Sequence, residues 1–301
     1  MSEVKQEVQR FYDQIGWKLV SDDVYQNARY EDLRPVARQY IHDCHMRVAR
    51  QLKSQGRYLL DAGSGPVQYP EYLEYSRHYT FRVCADISIT ALKEARKRVG
   101  EQGLFVVADI ANLPFKPGAF DGVVTLHTIH HLPEVEHLGA FDELFRVLAP
   151  GSAAAVVNGW DHSTLMALAE PFVRLGNSLR NLYDRLGGGR NQPMPDEPQR
   201  RRDPAKSKKA HKIETGKGTF TEKHDAAWVR TQVGRRMPVE ILVWRSVSVR
   251  FMRALIHPRL GGRLALRLLF WLEERFPHFF GEKGKYPLIV IRKSEEAKVA
   301  P

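Results

Sequence analysis

Cysteine is nearly absent, with Cys44 and Cys84 the only two in 301 residues. Cys84 sits inside an apolar, strand-like run, so a structural disulfide is not expected, and two thiols this far apart cannot build a zinc cluster. No apolar run approaches the roughly 18 residues that a membrane-spanning helix needs. The opening MSEVKQEVQR is too charged for a secretory signal, which leaves a cytoplasmic protein as the expectation, with peripheral membrane contact as a variant. Negative charge is also short: 35 Asp and Glu face 46 Lys and Arg, a net charge of +11. The surplus is uneven, because residues 187–218 hold nine Lys and Arg against four Asp and Glu. Such a stretch suits a solvated, flexible loop, or a segment that meets nucleic acid, anionic lipid or an acidic substrate. The length fits one large α/β domain with insertions.

The strongest local signal is Leu59-Leu60-Asp61-Ala62-Gly63-Ser64-Gly65. An apolar run ending in an acid and two glycines reads as a buried parallel strand, followed by a turn that must approach something closely. Val83-Cys84-Ala85-Asp86 and Phe105-Val106-Val107-Ala108-Asp109 follow, each one helix-length further on. Three parallel strands of this kind place their terminal acids and glycines on one sheet edge, where open α/β folds bind nucleotides. Gly63 and Gly65 let backbone N–H groups lie against a ligand, and the helix that follows offers its positive end to an anion. A carboxylate at Asp86 can accept both hydroxyls of a ribose diol. Pro66-Val67-Gln68 stands where a dinucleotide fingerprint would carry its third glycine.

The strings LLDAGSGP, CADISITAL, VVADIANLPF, FDGVVTLHTIHHL and ELFRVLAPG, in that order, resemble the Rossmann-like (class I) S-adenosylmethionine-dependent methyltransferases, in particular their small-molecule subgroup. The resemblance covers about residues 57–160, and more loosely the last third of the chain. It implies a mostly parallel seven-stranded sheet flanked by helices, with S-adenosyl-L-methionine as cofactor. By the same resemblance, Asp61, Gly63, Gly65, Asp86 and Ile87 line the cofactor, Asp109 accepts the adenine amino group, Ile110 packs on the ring, and backbone near His127 borders the site. Residues 1–55 become a helical lid, which makes Tyr12, Trp17, Tyr25, Tyr30 and Arg34 candidates for it. Residues 56–301 become the methyltransferase domain. The insertion 163–237, with the basic loop 187–218, then builds the acceptor pocket, where His211 is a candidate. The sixth and seventh strands are expected at 239–249 and 286–291. A second insertion, 250–284, separates them and departs from the short hairpin of the family.

His127-Thr128-Ile129-His130-His131 is the densest chemical cluster. His127 or His130 can take a proton from a nucleophile; packing roles and metal binding are the alternatives. Adjacent His130 and His131 are expected to point apart, and no carboxylate pattern accompanies them, so no metal is assigned. Asn158, Trp160 and His162 emerge at the same edge from the fifth strand. Leu168, Phe172, Leu175, Leu179 and Leu182 mark one side of a helix over 165–186. Leu264, Leu268, Trp271 and Leu272 mark another, suited to core packing, a membrane surface or a hydrophobic tunnel. The implied activity is methyl transfer to a small-molecule acceptor, with oxygen favoured. A lipid-like or polyprenyl acceptor at a membrane surface, or a non-catalytic binding protein, are the alternatives. Nucleic acid is disfavoured, since no RNA-binding module and no Asn/Asp-Pro-Pro-aromatic motif is present.

Overall fold

The computed structural model describes residues 2–17, 19–21, 24–25, 31–185 and 219–295. Its centre is a seven-stranded sheet of β1 (Gly56–Ala62), β2 (Tyr79–Asp86), β3 (Gly103–Val107), β4 (Gly122–Leu126), β5 (Ala153–Val157), β6 (Val239–Arg245) and β7 (Tyr286–Arg292), in the order β3-β2-β1-β4-β5-β7-β6. Strands β1 to β5 pair in parallel, and β7 runs antiparallel to both of its neighbours. The reversal of β7 therefore survives without a short hairpin. A separate antiparallel pair, Leu19–Ser21 with Val24–Tyr25, lies in the N-terminal segment.

Successive strand residues alternate between two apolar layers. Leu60, Ala62, Val83, Ala85 and Val123 join one, with Phe141, Leu144 and Val147 of α5 (Glu134–Val147). Leu59, Cys84 and Val124 join the other, with Val48 of α2 (Arg38–Ala49), Tyr72 of α3 (Pro70–Glu74) and Leu92 of α4 (Ile89–Val99). The near-continuous apolar runs follow from burial on both faces. Helix α1 (Glu3–Phe11) and the turn Tyr12–Gly16 approach the carboxyl edge.

Several boundaries differ from the sequence expectation. Strand β3 ends at Val107, and Asp109 instead bridges Asn112 in the turn beyond it. Strand β6 stops at Arg245, because the Ser248 side chain accepts the Phe251 N–H and starts α8 (Val249–Leu255). In α6 (Thr164–Arg185), Leu168, Phe172, Leu175, Leu179 and Leu182 are all exposed. That helix buries Val173 instead, and brings Gly176 so close to Ala254 that an added Cβ would sit 2.7 Å from its carbonyl oxygen. A short α7 (Ala226–Trp228), capped by Asp225, precedes β6.

Core packing does not account for Leu264, Leu268 and Trp271 of α9 (Gly262–Arg275), which are exposed. The rotation of α9 is set by Glu273. Its buried carboxylate accepts from Arg47 Nη1 at 2.9 Å, Tyr40 Oη at 2.8 Å and the Ser246 N–H at 2.9 Å, so the leucines one side round face outward. Helix α10 (Pro277–Lys283) then returns the chain to β7, with Gly281 against Leu242. No described helix is long and apolar enough to cross a membrane. The basic loop 187–218 and His211 lie outside the described residues.

Candidate active site

The carboxyl ends of β1, β2 and β3 meet at one edge. Gly63 and Gly65 adopt φ of 73° and 54°, in the left-handed region. A Cβ on Gly63 would lie 2.2 Å from Thr128 Cγ2, and one on Gly65 2.9 Å from the Trp17 ring. Both positions thus need glycine for conformation and for space. The Gly65 N–H donates to Asp86 Oδ2 at 2.9 Å and the Ser88 N–H to Asp86 Oδ1 at 2.8 Å. Burial pushes the Asp86 carboxyl up to about 6, although these two donors favour its charged form.

Asp109 accepts the Ala111 N–H at 3.0 Å on Oδ1, while Oδ2 receives the Lys5 ammonium, which also reaches Glu136. Burial lowers the Lys5 pKa, but its two carboxylate partners outweigh that and leave it raised. The rest of the N-terminal segment follows the same edge. Gln9 Nε2 donates to the Ile87 carbonyl at 2.7 Å, Ser88 Oγ donates to Asp13, and Trp17 stacks on Tyr12 at 4.9 Å. Ile110 is buried beside Asp109. The Asp61 carboxylate is held by the buried Arg82 guanidinium, which also donates to the Tyr72 carbonyl.

The histidines separate by their hydrogen bonds. His131 is held on both sides, with Nδ1 donating to the Phe220 carbonyl at 2.8 Å and Nε2 accepting from Tyr12 Oη at 2.8 Å. His130 Nδ1 lies 3.1 Å from Asn158 Oδ1, which makes Nδ1 the protonated nitrogen and leaves the lone pair on Nε2. His127 has a positive φ of 58°, a strained setting for a non-glycine residue, and its N–H donates to the Val157 carbonyl at 2.7 Å. Burial, then the nearby Arg245 charge, push His127 down to about 3; burial, with the neighbouring His131 second, holds His130 well below the usual imidazole range. Both rings are neutral at pH 7. The turn Ile129–His131 brings the His130 and His131 rings to 4.2 Å, so these neighbours do not point apart as the sequence led us to expect. Among the described residues, no three His, Cys, Asp or Glu side chains converge on a metal position.

His130, Asn158, Lys223 and Trp160 line one small cleft at this edge. Trp160 points inward, donating from Nε1 to the Gly281 carbonyl at 2.7 Å, and His162 is exposed. Arg34 serves the scaffold, pairing with Asp32 and donating to the Met252 and Ile256 carbonyls.

Next to His127 lies a buried polar network that sequence reasoning missed. The Trp244 ring meets His127 at 5.2 Å and stacks on His45 at 5.3 Å, while Arg245 covers Tyr286 and pairs with Glu31. His45 sits between Glu31 at 3.7 Å and Glu71 at 3.6 Å. Burial lowers the His45 pKa, but the two carboxylates outweigh it and leave it raised. Lys5 was missed as well, although one signal was available: it shares the buried face of α1 with Val8 and Phe11, an odd place for an unpaired ammonium. Nothing local marks Glu31 or Arg245, whose pairing spans 214 positions.

Residues 60–156 match a family described as methyltransferase domain. The "Phthiotriol/phenolphthiotriol dimycocerosates methyltransferase" of Mycobacterium leprae is 31% identical over 157 residues, which cover 48% of this chain and 57% of that one. "Methyltransferase GfsG" of Streptomyces halstedii is 30% identical over 134 residues, 42% of this chain and 47% of its own. The chain thus spans about half the length of these curated relatives. Among solved structures, the YcgJ protein of Bacillus subtilis aligns with a TM-score of 0.46 at 15% identity, covering 84% of this chain and 99% of that one.

Proposed function

We propose that this chain, which belongs through residues 60–156 to the Rossmann-like class I S-adenosylmethionine-dependent methyltransferases, moves a methyl group to a small-molecule acceptor, at oxygen in preference to nitrogen or carbon. The observation that carries this reading is the joint edge of the Gly63–Gly65 turn, Asp86 and Asp109 at or just beyond the carboxyl ends of three adjacent parallel strands. The donor set suits the cofactor. Two left-handed glycines make a tight backbone turn at the strand end, Asp86 offers carboxylate oxygens for a diol, and Asp109 with Ile110 suits an amino-bearing ring.

S-adenosylmethionine, when bound, supplies an electrophilic sulfonium methyl. The residues of the chain then have three tasks. The Gly63–Gly65 turn and Asp86 hold and orient; α1 and Trp17 cover the edge against water; a neutral imidazole receives the proton that the acceptor hydroxyl gives up. His130 suits the last task best, because its Asn158 contact keeps the lone pair on Nε2. His127, strained and packed on Trp244, suits shaping of the site, and His211 stays a candidate from the resemblance alone. Lys5 shares Asp109 with whatever amino group docks there.

A lipid-like acceptor is the second reading, with contact at an anionic membrane surface. The name of the mycobacterial relative supports it, as do the exposed Leu264, Leu268 and Trp271. Isothermal titration with S-adenosylmethionine, its demethylated product and NAD tests the main reading. Binding of the first two and not NAD is expected, and justifies a screen of alcohols, phenols and sugar hydroxyls as acceptors. Binding of NAD alone overturns it.

A further inference from the structure

Helix α9 and the turn before it repeat one residue pair at a spacing of four: Arg259-Leu260, Arg263-Leu264 and Arg267-Leu268, followed by Trp271. Residues four apart are neighbours on a helix surface, so within α9 Leu264 and Leu268 form one ridge with Trp271, and Arg263 and Arg267 a second beside it, while Arg259 and Leu260 lie in the turn before left-handed Gly261. The leucine ridge faces solvent. Leu260 is 82% exposed, Leu264 70%, Leu268 56% and Trp271 60%, whereas Leu266 and Glu273 fill the inward face. Arg259, Arg263 and Arg267 form no ion pair among the described residues, and Glu274 on the same helix is taken by Arg47 and Arg50. Like charges one turn apart repel, and an exposed ridge of leucine and tryptophan is unfavourable in water. A surface with anions above hydrocarbon relieves both at once.

We propose that this face docks on an anionic lipid bilayer, with Leu264, Leu268 and Trp271 entering the acyl boundary and Arg263 and Arg267 meeting lipid phosphates. The chemistry disfavours the other occupants. A second copy of this face would cover the leucines but bring no anion to the arginines, and nucleic acid would supply phosphates but no apolar partner for the leucines. The face is tied firmly to the candidate active site. Glu273 accepts from Arg47, Arg47 Nη1 donates to the Trp244 carbonyl at 2.9 Å, and the Trp244 ring packs on His127. Docking through α9 would bring a lipid-like acceptor to the chain that carries the candidate active site. That purpose rests on the methyltransferase reading; the docking itself does not.

Sedimentation of the full chain with vesicles tests the proposal, using phosphatidylglycerol mixed with phosphatidylcholine against phosphatidylcholine alone. Binding is expected only to the anionic vesicles, and it should weaken as salt rises. Two arginines near a charged leaflet are worth about a thirty-fold change in partitioning, so Arg263→Gln with Arg267→Gln should release the protein to that extent. Leu264→Gln with Leu268→Gln should release it roughly tenfold or more, while Leu168→Gln on α6 should leave binding unchanged. Circular dichroism of each variant separates lost docking from lost folding. Absent vesicle binding, binding that the arginine variant retains, or a dimer that Leu264→Gln dissociates would each overturn the proposal. Calorimetry with S-adenosylmethionine on the same samples keeps the two readings apart: vesicle binding without cofactor binding removes only the enzyme reading, and the reverse removes only the docking.

Discussion

Acidification from about pH 7.5 to about pH 5 should weaken cofactor binding roughly tenfold through Asp86 alone. The carboxyl is raised from 3.8 to about 6 by burial, which outweighs the Gly65 and Ser88 N–H donors at 2.9 and 2.8 Å. One unit below that value, only about one carboxyl in eleven is ionised, and the ionised form is the one that accepts both hydroxyls of a diol. The sign for folding runs the other way. Because the folded value is raised, the stability contribution of Asp86 is full below 3.8 and is lost as pH rises through about 6. The free protein therefore gains stability from this group over the window in which it loses affinity, so weakened binding cannot be blamed on unfolding at Asp86. Calorimetry with the demethylated product reads the affinity. Asp86→Asn keeps one carbonyl oxygen, loses a charge-assisted hydrogen bond worth about 1.5–3 kcal/mol, and should bind about tenfold to a hundredfold more weakly with no slope between the two pH values. A flat wild-type affinity, or an equal slope in Asp86→Asn, would refute the reasoning.

Gly63→Ala combines a φ of 73° with a Cβ 2.2 Å from Thr128, and should destabilise by about 2–4 kcal/mol, read as a lower chemical-denaturation midpoint. A variant as stable as the parent would mean the turn relaxes freely. Glu31→Gln leaves the buried Arg245 without its countercharge, and a loss of about 3–5 kcal/mol is expected by the same measurement. Burial raises the Glu31 pKa, but Arg245 and His45 outweigh it and bring it from 4.5 to about 2, so this contribution is present above 4.5 and lost as pH falls toward 2. In Glu31→Gln that part of the acid dependence should vanish. His130→Gln should lower kcat by about a hundredfold or more with little change in KM, on any acceptor that supports turnover. Since burial holds the His130 pKa well below 6.5, kcat at saturating cofactor, where the Asp86 effect on affinity drops out, should show no acid limb at the ordinary imidazole value; a limb there would assign the proton to another group.

Local rules made much of the edge legible. Strand runs ending in Asp61, Asp86 and beside Asp109, and glycines at 63 and 65, carry their meaning in a few consecutive residues, since a left-handed turn and an apolar parallel strand are demands on local conformation. Which way a side chain faces was decided elsewhere. Asp61 lies in the same motif as Gly63, yet its carboxylate goes to Arg82, on the neighbouring strand 21 positions on. The helical period of α9 was visible in the chain, but its rotation depends on Glu273 meeting Arg47, Tyr40 and Ser246 from three other parts of the fold. That contact sends Leu264 and Trp271 to solvent. The histidine cluster divides in the same way: four imidazoles between 127 and 137 are plain in the sequence, while only the positions of Asn158, Tyr12 and Phe220 determine which nitrogen keeps a lone pair. Backbone conformation is a property of neighbours in the chain, and the hydrogen bonds and buried charges that give these residues their chemistry belong to neighbours in space.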